Sequence, residues 1–385
     1  MLGVSQLSHC ARSLAHRTLL EETAMKKVGM GWAVALLLVA GGGMAMAANP
    51  EQTGGLCASP QKIQGFTTCS DIAAAEGEGG LVVYSTDPEQ GTAKMLEAFH
   101  ALFPKIKTNY VRLQAGALYA KLLAERQANA YMADLLNISD SGLVFDFEKR
   151  KGYQRYVSPA MAAYKPEYKS RPEGLWTWGS VNLGGIAYNP KIVPPDQAPK
   201  SWEDLLNPKW MGKISVKTSN SGLQHFVWYA LSKELGADYW PKFAQQKPHA
   251  FDSYVQQFDL LVNGQDLVAE GAQYSGYLEY KQKGAPLEFV LPARGVPAGP
   301  EIWGIVSNAP HSNAARLFLD WFLSPVGQKP FMQVLFMHSP RPDVPPPVGG
   351  QPIDSFKLLF PSDWNDFLAS RTAFNRQWDA MTGRR

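Results

Sequence analysis

Apolar and polar positions divide the chain into short alternating runs. Leu81, Val82, Val83 and Tyr84 form a brief apolar block, and residues 92–102 then place Met95, Leu96, Phe99 and Leu102 on one helical face. Residues 108–113 read as a strand, 118–128 as a helix, 134–138 as a strand and 142–149 as a helix. Short strands alternating with helices predict βαβ units and a mostly parallel sheet. A second set begins near Trp176, with strands over 183–188 and 213–217, helices over 223–235, 237–245 and 254–262, and a buried strand over 267–269. Residues 286–306 are rich in Pro and Gly and read as extended, which suits a crossing between two units. An apolar helix over 314–322 and a Pro-rich stretch over 340–352 precede a helical tail over 364–381. The fold class predicted is α/β with two lobes, each a mostly parallel sheet flanked by helices. Residues 80–178 plus 295–385 are assigned to lobe 1 and 179–294 to lobe 2. Ligands of open α/β sheets sit at the carboxyl ends of strands, so two facing lobes enclose one cleft that hinge closure can shut.

The N-terminus carries a different pattern. Met25, Lys26 and Lys27 are followed by an apolar run over 28–40 and by Ala45-Met46-Ala47, with small residues where a signal peptidase reads. This predicts a secretory signal over 25–47, cleaved near Ala47, and a periplasmic product. The apolar run is short and broken by Gly41-Gly42-Gly43, whereas a spanning helix needs about 20 apolar residues. Residues 1–24 fit no signal peptide, so Met25 is the expected initiator. Residues 48–79, rich in Gly, Ala and Ser, read as an N-terminal extension. Outside the leader the cysteines are Cys57 and Cys69, and an oxidising compartment predicts that they pair. Two thiols with no nearby His or second pair make a poor metal set.

Composition then narrows the function. The 385 residues are 45% hydrophobic and 18% charged, ordinary for a globular chain. Of the formal net charge of +3, residues 1–47 hold +2 (Arg12, Arg17, Lys26 and Lys27 against Glu21 and Glu22), which leaves +1. A near-neutral chain argues against a nucleic-acid partner, which calls for a basic face. No internal repeat, nucleotide fingerprint or metal-spaced His pair is present. No nucleophile–base signature stands out, and Asp87 and Asp140 suggest no acid/base couple, so an enzyme has no positive support. No cofactor is expected.

Candidate chemistry lies in loops that follow strands. These are Ser85-Thr86-Asp87, Ser139-Asp140-Ser141-Gly142 and Thr218-Ser219-Asn220-Ser221-Gly222, the last opening a helix. Small hydroxyl residues and Gly at a helix N-terminus expose backbone N–H groups to an anion. Plain N-capping explains any single loop of this kind. Three on successive strand ends point to a ligand cleft. Tyr274, directly after the strand over 267–269, could stack on a ligand, donate a hydrogen bond or bind ferric iron as phenolate. Tyr277 and Tyr280 read as packing.

Four passages carry a family resemblance. They are Leu96-Glu97-Ala98-Phe99 through Ala133-Asp134, Ser201-Trp202-Glu203-Asp204-Leu205-Leu206-Asn207-Pro208-Lys209-Trp210 with Gly212-Lys213-Ile214, Lys283-Gly284-Ala285-Pro286, and residues 309–328 with Ser324-Pro325-Val326-Gly327-Gln328. Together they resemble the iron-type solute-binding proteins of ABC importers, which include ferric-binding proteins. The resemblance implies a type II periplasmic binding fold and delivery of ligand to a permease and an ATPase in the inner membrane. It is weakest at the metal site. The family's ferric binders use two adjacent tyrosines where this chain has Tyr274-Ser275. They often place a His or other ligand in the first loop, here Ser85-Thr86-Asp87, and an acid after the second strand, here Gln114. Many relatives carry arginines in the crossing strand, here Asn182-Leu183-Gly184. One phenolate is too few for tight ferric binding without help. The turn over 218–222 does match the family's anion-binding turn. The expected ligand is therefore an organic or phosphorylated anion, with free or chelated ferric iron as the alternative and Tyr274 as its metal ligand. The protein is expected to act as a monomer. An exported enzyme or a chemoreceptor-partner sensor on the same fold are the competing classes.

Overall fold

The computed structural model describes residues 59–383. The leader and Cys57 therefore lie outside the described residues, and with them the signal peptide and the Cys57–Cys69 pairing. Among the described residues no helix is long and apolar enough to cross a membrane.

The chain opens with a hairpin, β1 (Gln61–Ile63) and β2 (Phe66–Thr68), and a helix, Ile72–Glu78. Asp71 caps this helix by accepting from the Ala74 N–H at 3.0 Å. Gly79 ends it at φ 70°, the left-handed conformation that glycine adopts without strain. The sequence reading made residues 48–79 an extension, but 61–78 belong to the body of the protein. Phe66 and Ala75 are buried with Phe99, Phe103 and Trp321. Thr68 Oγ1 donates to Asp320 at 2.7 Å, and the Cys69 N–H donates to the same carboxylate at 3.0 Å. Small residues set this helix close against helix Ser312–Phe322, and a composition rich in Ala conceals that contact.

The first lobe contains β3 (Gly80–Ser85), β4 (Lys107–Arg112) and β5 (Leu135–Ile138), with β3 central and parallel to both. Alternation along β3 buries Leu81 and Val83 on one face and Tyr84 on the other. Helices Glu89–Leu102, Ala115–Gln127 and Ser141–Lys149 connect these strands and cover them. The second lobe repeats the arrangement with β7 (Ile214–Lys217), β8 (His249–Phe251) and β9 (Val268–Gln273), all parallel. Its core gathers Trp202, Trp210, Ile214, Val216, Leu231 and Phe243.

Two long strands join the lobes. The first is β6 (Thr177–Tyr188), longer than the predicted 183–188, and the second is β11 (Val296–Ile305). They run antiparallel to each other over Leu183–Ala298 to Thr177–Trp303. β11 then meets β5, and the far half of β6 meets β9 and β10 (Glu288–Val290). One continuous path of strands thus runs β4-β3-β5-β11-β6-β9-β7-β8. β12 (Leu358–Leu359) adds in parallel to the start of β11.

The tail departs from its assignment to lobe 1. Trp364 packs on Phe145 and Trp178 of the first lobe and on Phe226 of the second. Helix Arg371–Thr382 then buries Phe374 and Trp378, an i, i+4 apolar pair, in the second-lobe core. Trp378 Nε1 donates to the Lys217 carbonyl at 2.7 Å. Helix Gly222–Leu235 offers a seat for the pair, with Phe374 against His225 and Trp228.

Candidate functional site

A cleft of about 1560 Å³ lies between the lobes, lined from both sides. The lining includes Thr86, Asp87, Gln114, Ser139, Asp140, Asn182, Thr218, Asn220, Ser221, Gly222 and Ser275, all singled out from the sequence. Four others do not line it. Ser85 is fully buried, accepting from the Asp87 N–H at 3.0 Å. Ser141 is buried at the start of its helix. Ser219 turns its hydroxyl to Asp379 at 2.6 Å. Tyr274 is only 4% exposed and stacks on Tyr277 and His338, with its hydroxyl accepting from the Gln351 N–H at 3.4 Å. Burial among aromatic rings pushes its phenol up, away from the phenolate a metal would need.

The second-lobe wall is the turn between β7 and helix Gly222–Leu235. Its side chains are largely committed locally. Ser221 caps the helix by accepting from the Gln224 N–H at 3.3 Å, and Thr218 donates to Asp252 at 2.8 Å. Lys217, from the last position of β7, donates to the Asp252 carbonyl at 2.6 Å. Burial lowers its pKa to about 8, partly opposed by the Asp252 carboxylate. Gly222 has a role the sequence did not suggest. A Cβ there would lie 2.8 Å from the Ser139 carbonyl oxygen, so the lobes touch at a point where only glycine fits.

The first-lobe wall holds a buried polar network. Asn137 donates to Asp87 Oδ2 at 3.2 Å. Thr86 Oγ1 accepts from the Ser139 N–H at 3.0 Å and donates to Glu301 Oε2 at 3.3 Å. Asp87 and Glu301 are 1% and 6% exposed. Burial and mutual repulsion raise the Glu301 carboxyl far above its ordinary range, against the hydrogen bonds of Thr86 and Asn182. Burial likewise raises Asp87, opposed by Arg112 and Asn137. Asp87 and Asp140 suggest no couple from the sequence, and the fold brings Asp87 to Glu301 instead. Glu301 comes from the middle of β11 and meets Asp87 only in the fold. Its one sequence signal is a lone acid inside an apolar crossing segment.

Cations complete the cleft. Arg371, from the tail, pairs with Asp140 at 3.1 Å and donates to the Ser219 carbonyl at 3.3 Å, so it ties the two walls together. Asp140 also caps helix Ser141–Lys149 through the Gly142 N–H at 2.9 Å. Glu279 pairs with Lys283, and Asp146 with Arg150. Among the described residues lining the cleft, Lys94, Arg112 and Lys149 form no salt bridge, and Lys217 is held only by the Asp252 carbonyl. The arrangement can bind an anion at these cations and at the 218–222 turn, where a helix N-terminus opens. It can also bind donor groups at the carboxyl pair.

Comparison with known proteins places the chain. A family profile described as bacterial extracellular solute-binding protein matches residues 130–365. The iron uptake protein A1 of Synechocystis sp. is 26% identical over 275 residues, covering 67% of this chain and 75% of that protein. Among solved structures, the periplasmic binding protein AfuA from Actinobacillus pleuropneumoniae, with exogenous fructose-6-phosphate bound, matches with a TM-score of 0.69 and 21% identity. That match covers 79% of this chain and 99% of the other. Iron-bound HitA from Pseudomonas aeruginosa matches with a TM-score of 0.68 and 19% identity, over 78% and 99%. At these identities the two structures establish the two-lobed periplasmic binding fold.

Proposed function

We propose, from the premise that this chain belongs to the bacterial extracellular solute-binding protein family, that it captures a small organic or phosphorylated anion and delivers it to an ABC importer. The observation that carries this reading is the cleft itself. Its lining joins the 218–222 turn to Lys94, Arg112, Lys217 and Arg371. A helix N-terminus with convergent cations is suited to phosphate or carboxylate. On this reading the signal over 25–47 is removed near Ala47, Cys57 pairs with Cys69, and the periplasmic monomer docks on a permease served by an ATPase. Mass measurement of secreted protein, with and without reductant, checks the cleavage and the disulfide together.

A second reading, ferric iron, draws on the names of the iron uptake protein of Synechocystis sp. and the Fe(3+)-binding periplasmic protein of Serratia marcescens. Against it stand the packed Tyr274, Ser275 beside it, and Gln114 in place of an acid. Among the described residues no three His, Cys, Asp or Glu side chains converge on one point. A thermal-shift screen of phosphonates, sugar phosphates, carboxylates, ferric citrate and ferric iron separates the two, because a ligand that binds only the folded state raises the melting temperature. The largest shift is expected from an organic or phosphorylated anion. The largest shift from ferric iron without an organic anion would overturn the reading.

A further inference from the structure

Once internal pairings are set aside, the cleft holds two kinds of uncommitted group. One is cationic, Lys94, Arg112 and Lys149, of which Arg112 also acts on the Asp87 charge. The other is the Asp87–Glu301 carboxyl pair. Anion capture accounts for the first and leaves the second unexplained.

The pair is built into the wall with its surroundings arranged around it. Asp87 Oδ2 accepts from Asn137, but Asp87 Oδ1 is buried with no hydrogen-bond partner, although the residue lines the cleft. Glu301 receives the Thr86 hydroxyl at the long distance of 3.3 Å. Asn182, on the neighbouring strand β6, is held by Ser275, whose hydroxyl donates to Asn182 Oδ1 at 3.0 Å. A buried acceptor without a donor is costly in the folded protein, and natural structures leave few of them. The cost is removed if the ligand supplies the missing donor. A metal does not fit, since no third His, Cys, Asp or Glu joins the two carboxyls among the described residues.

We infer that Asp87 and Glu301 are the specificity-determining residues of the cleft, selecting anions that also carry hydroxyl or ammonium donors. This deepens the proposed function and rests on it. The anionic group faces Lys94 and Arg112, and the donor reaches the orphan Asp87 oxygen beside the Glu301 carboxyl. Arg112 lies close enough to Asp87 to act on its charge, so one small molecule can meet both. An anion without donors would leave that buried acceptor unpaired, and sites of this kind reject such analogues strongly. The pair therefore serves as a filter against inorganic and simple alkyl anions.

The test uses three phosphate monoesters matched in their anionic group: ethyl phosphate with no donor, phosphoethanolamine with an ammonium, and glucose 6-phosphate with hydroxyls. Affinities are measured by calorimetry on the mature protein at one pH and salt. At least one donor-bearing ester is expected to bind about tenfold or more tightly than ethyl phosphate. Which one does so identifies ammonium or hydroxyl as the preferred donor. In D87N and in E301A, each confirmed folded by its melting curve, that ratio is expected to fall below about threefold. Equal binding of all three esters to the parent protein overturns the inference and leaves the anion reading standing. So does a ratio that survives in both variants. If no anionic ligand binds, the proposed function itself falls and the inference falls with it.

Discussion

The two walls of the cleft begin from similar sequence and end differently. Each has a strand, then a loop of Ser, Thr, Asn and Asp, then a helix. In the second lobe three of the loop side chains are committed to neighbours. Ser221 caps its helix, Thr218 holds Asp252, and Ser219 holds Asp379. What remains for a ligand is backbone and charge. In the first lobe, Thr86 and Asn137 support a carboxyl pair with one oxygen left open. Residue type at a strand end therefore marks a cleft without saying which polar groups are free in it. The nearest partners of each side chain decide that.

The contrast can be broken most severely where the walls touch. Gly222→Val drives its side chain against the Ser139 carbonyl. Overpacking of this kind costs about 1–3 kcal/mol, so ligand affinity is expected to fall by about 100-fold at the upper end. Small-angle scattering should show a wider molecule. Unchanged affinity would remove Gly222 as the spacer between the lobes. Arg371→Met cuts the tie from the tail to Asp140 and to the Ser219 carbonyl. Removing one partner of this partly buried pair is expected to cost about 1.4 kcal/mol, a tenfold loss of affinity in calorimetry.

A smaller effect sharpens the second wall. Asp caps a helix as well as Ser does, so Ser221→Asp should leave the melting temperature of the free protein nearly unchanged. The new charge should weaken anion binding by about fivefold, or about 1 kcal/mol. An unaltered affinity would place the anion away from this turn. The smallest effect is a pH slope. Lys217, lowered by burial to about 8, is charged below that value and neutral above it. Anion affinity is expected to fall about threefold as pH rises from 7 to 9, and the slope should flatten in Lys217→Met. A slope identical in the variant would assign the effect elsewhere.

Much of the fold was legible because its signals are local. The alternation of β3, the i, i+4 face of helix Glu89–Leu102, and the caps at Asp140 and Ser221 each depend on neighbours within about four residues. The position of the cleft followed from strand ends in two α/β units. Residues 61–78 were misread because Ala-rich composition looks the same in a linker and in a tightly packed helix.

Some of the site could not be read that way. Glu301 sits in β11, where only the pairing of β11 with β5 and β6 brings it to Asp87. Arg371 reaches Asp140 across more than two hundred residues because Phe374 and Trp378 anchor its helix in the second lobe. Tyr274 had the right place in sequence for a ligand, yet its ring found Tyr277, Phe289, His338 and Phe356. By itself, the sequence determined most of the central strands and helices, their order and a cleft at the strand ends, since periodicity and capping are short-range. Tertiary structure alone decided which polar groups face that cleft unpaired, because burial and pairing depend on residues far apart in the chain.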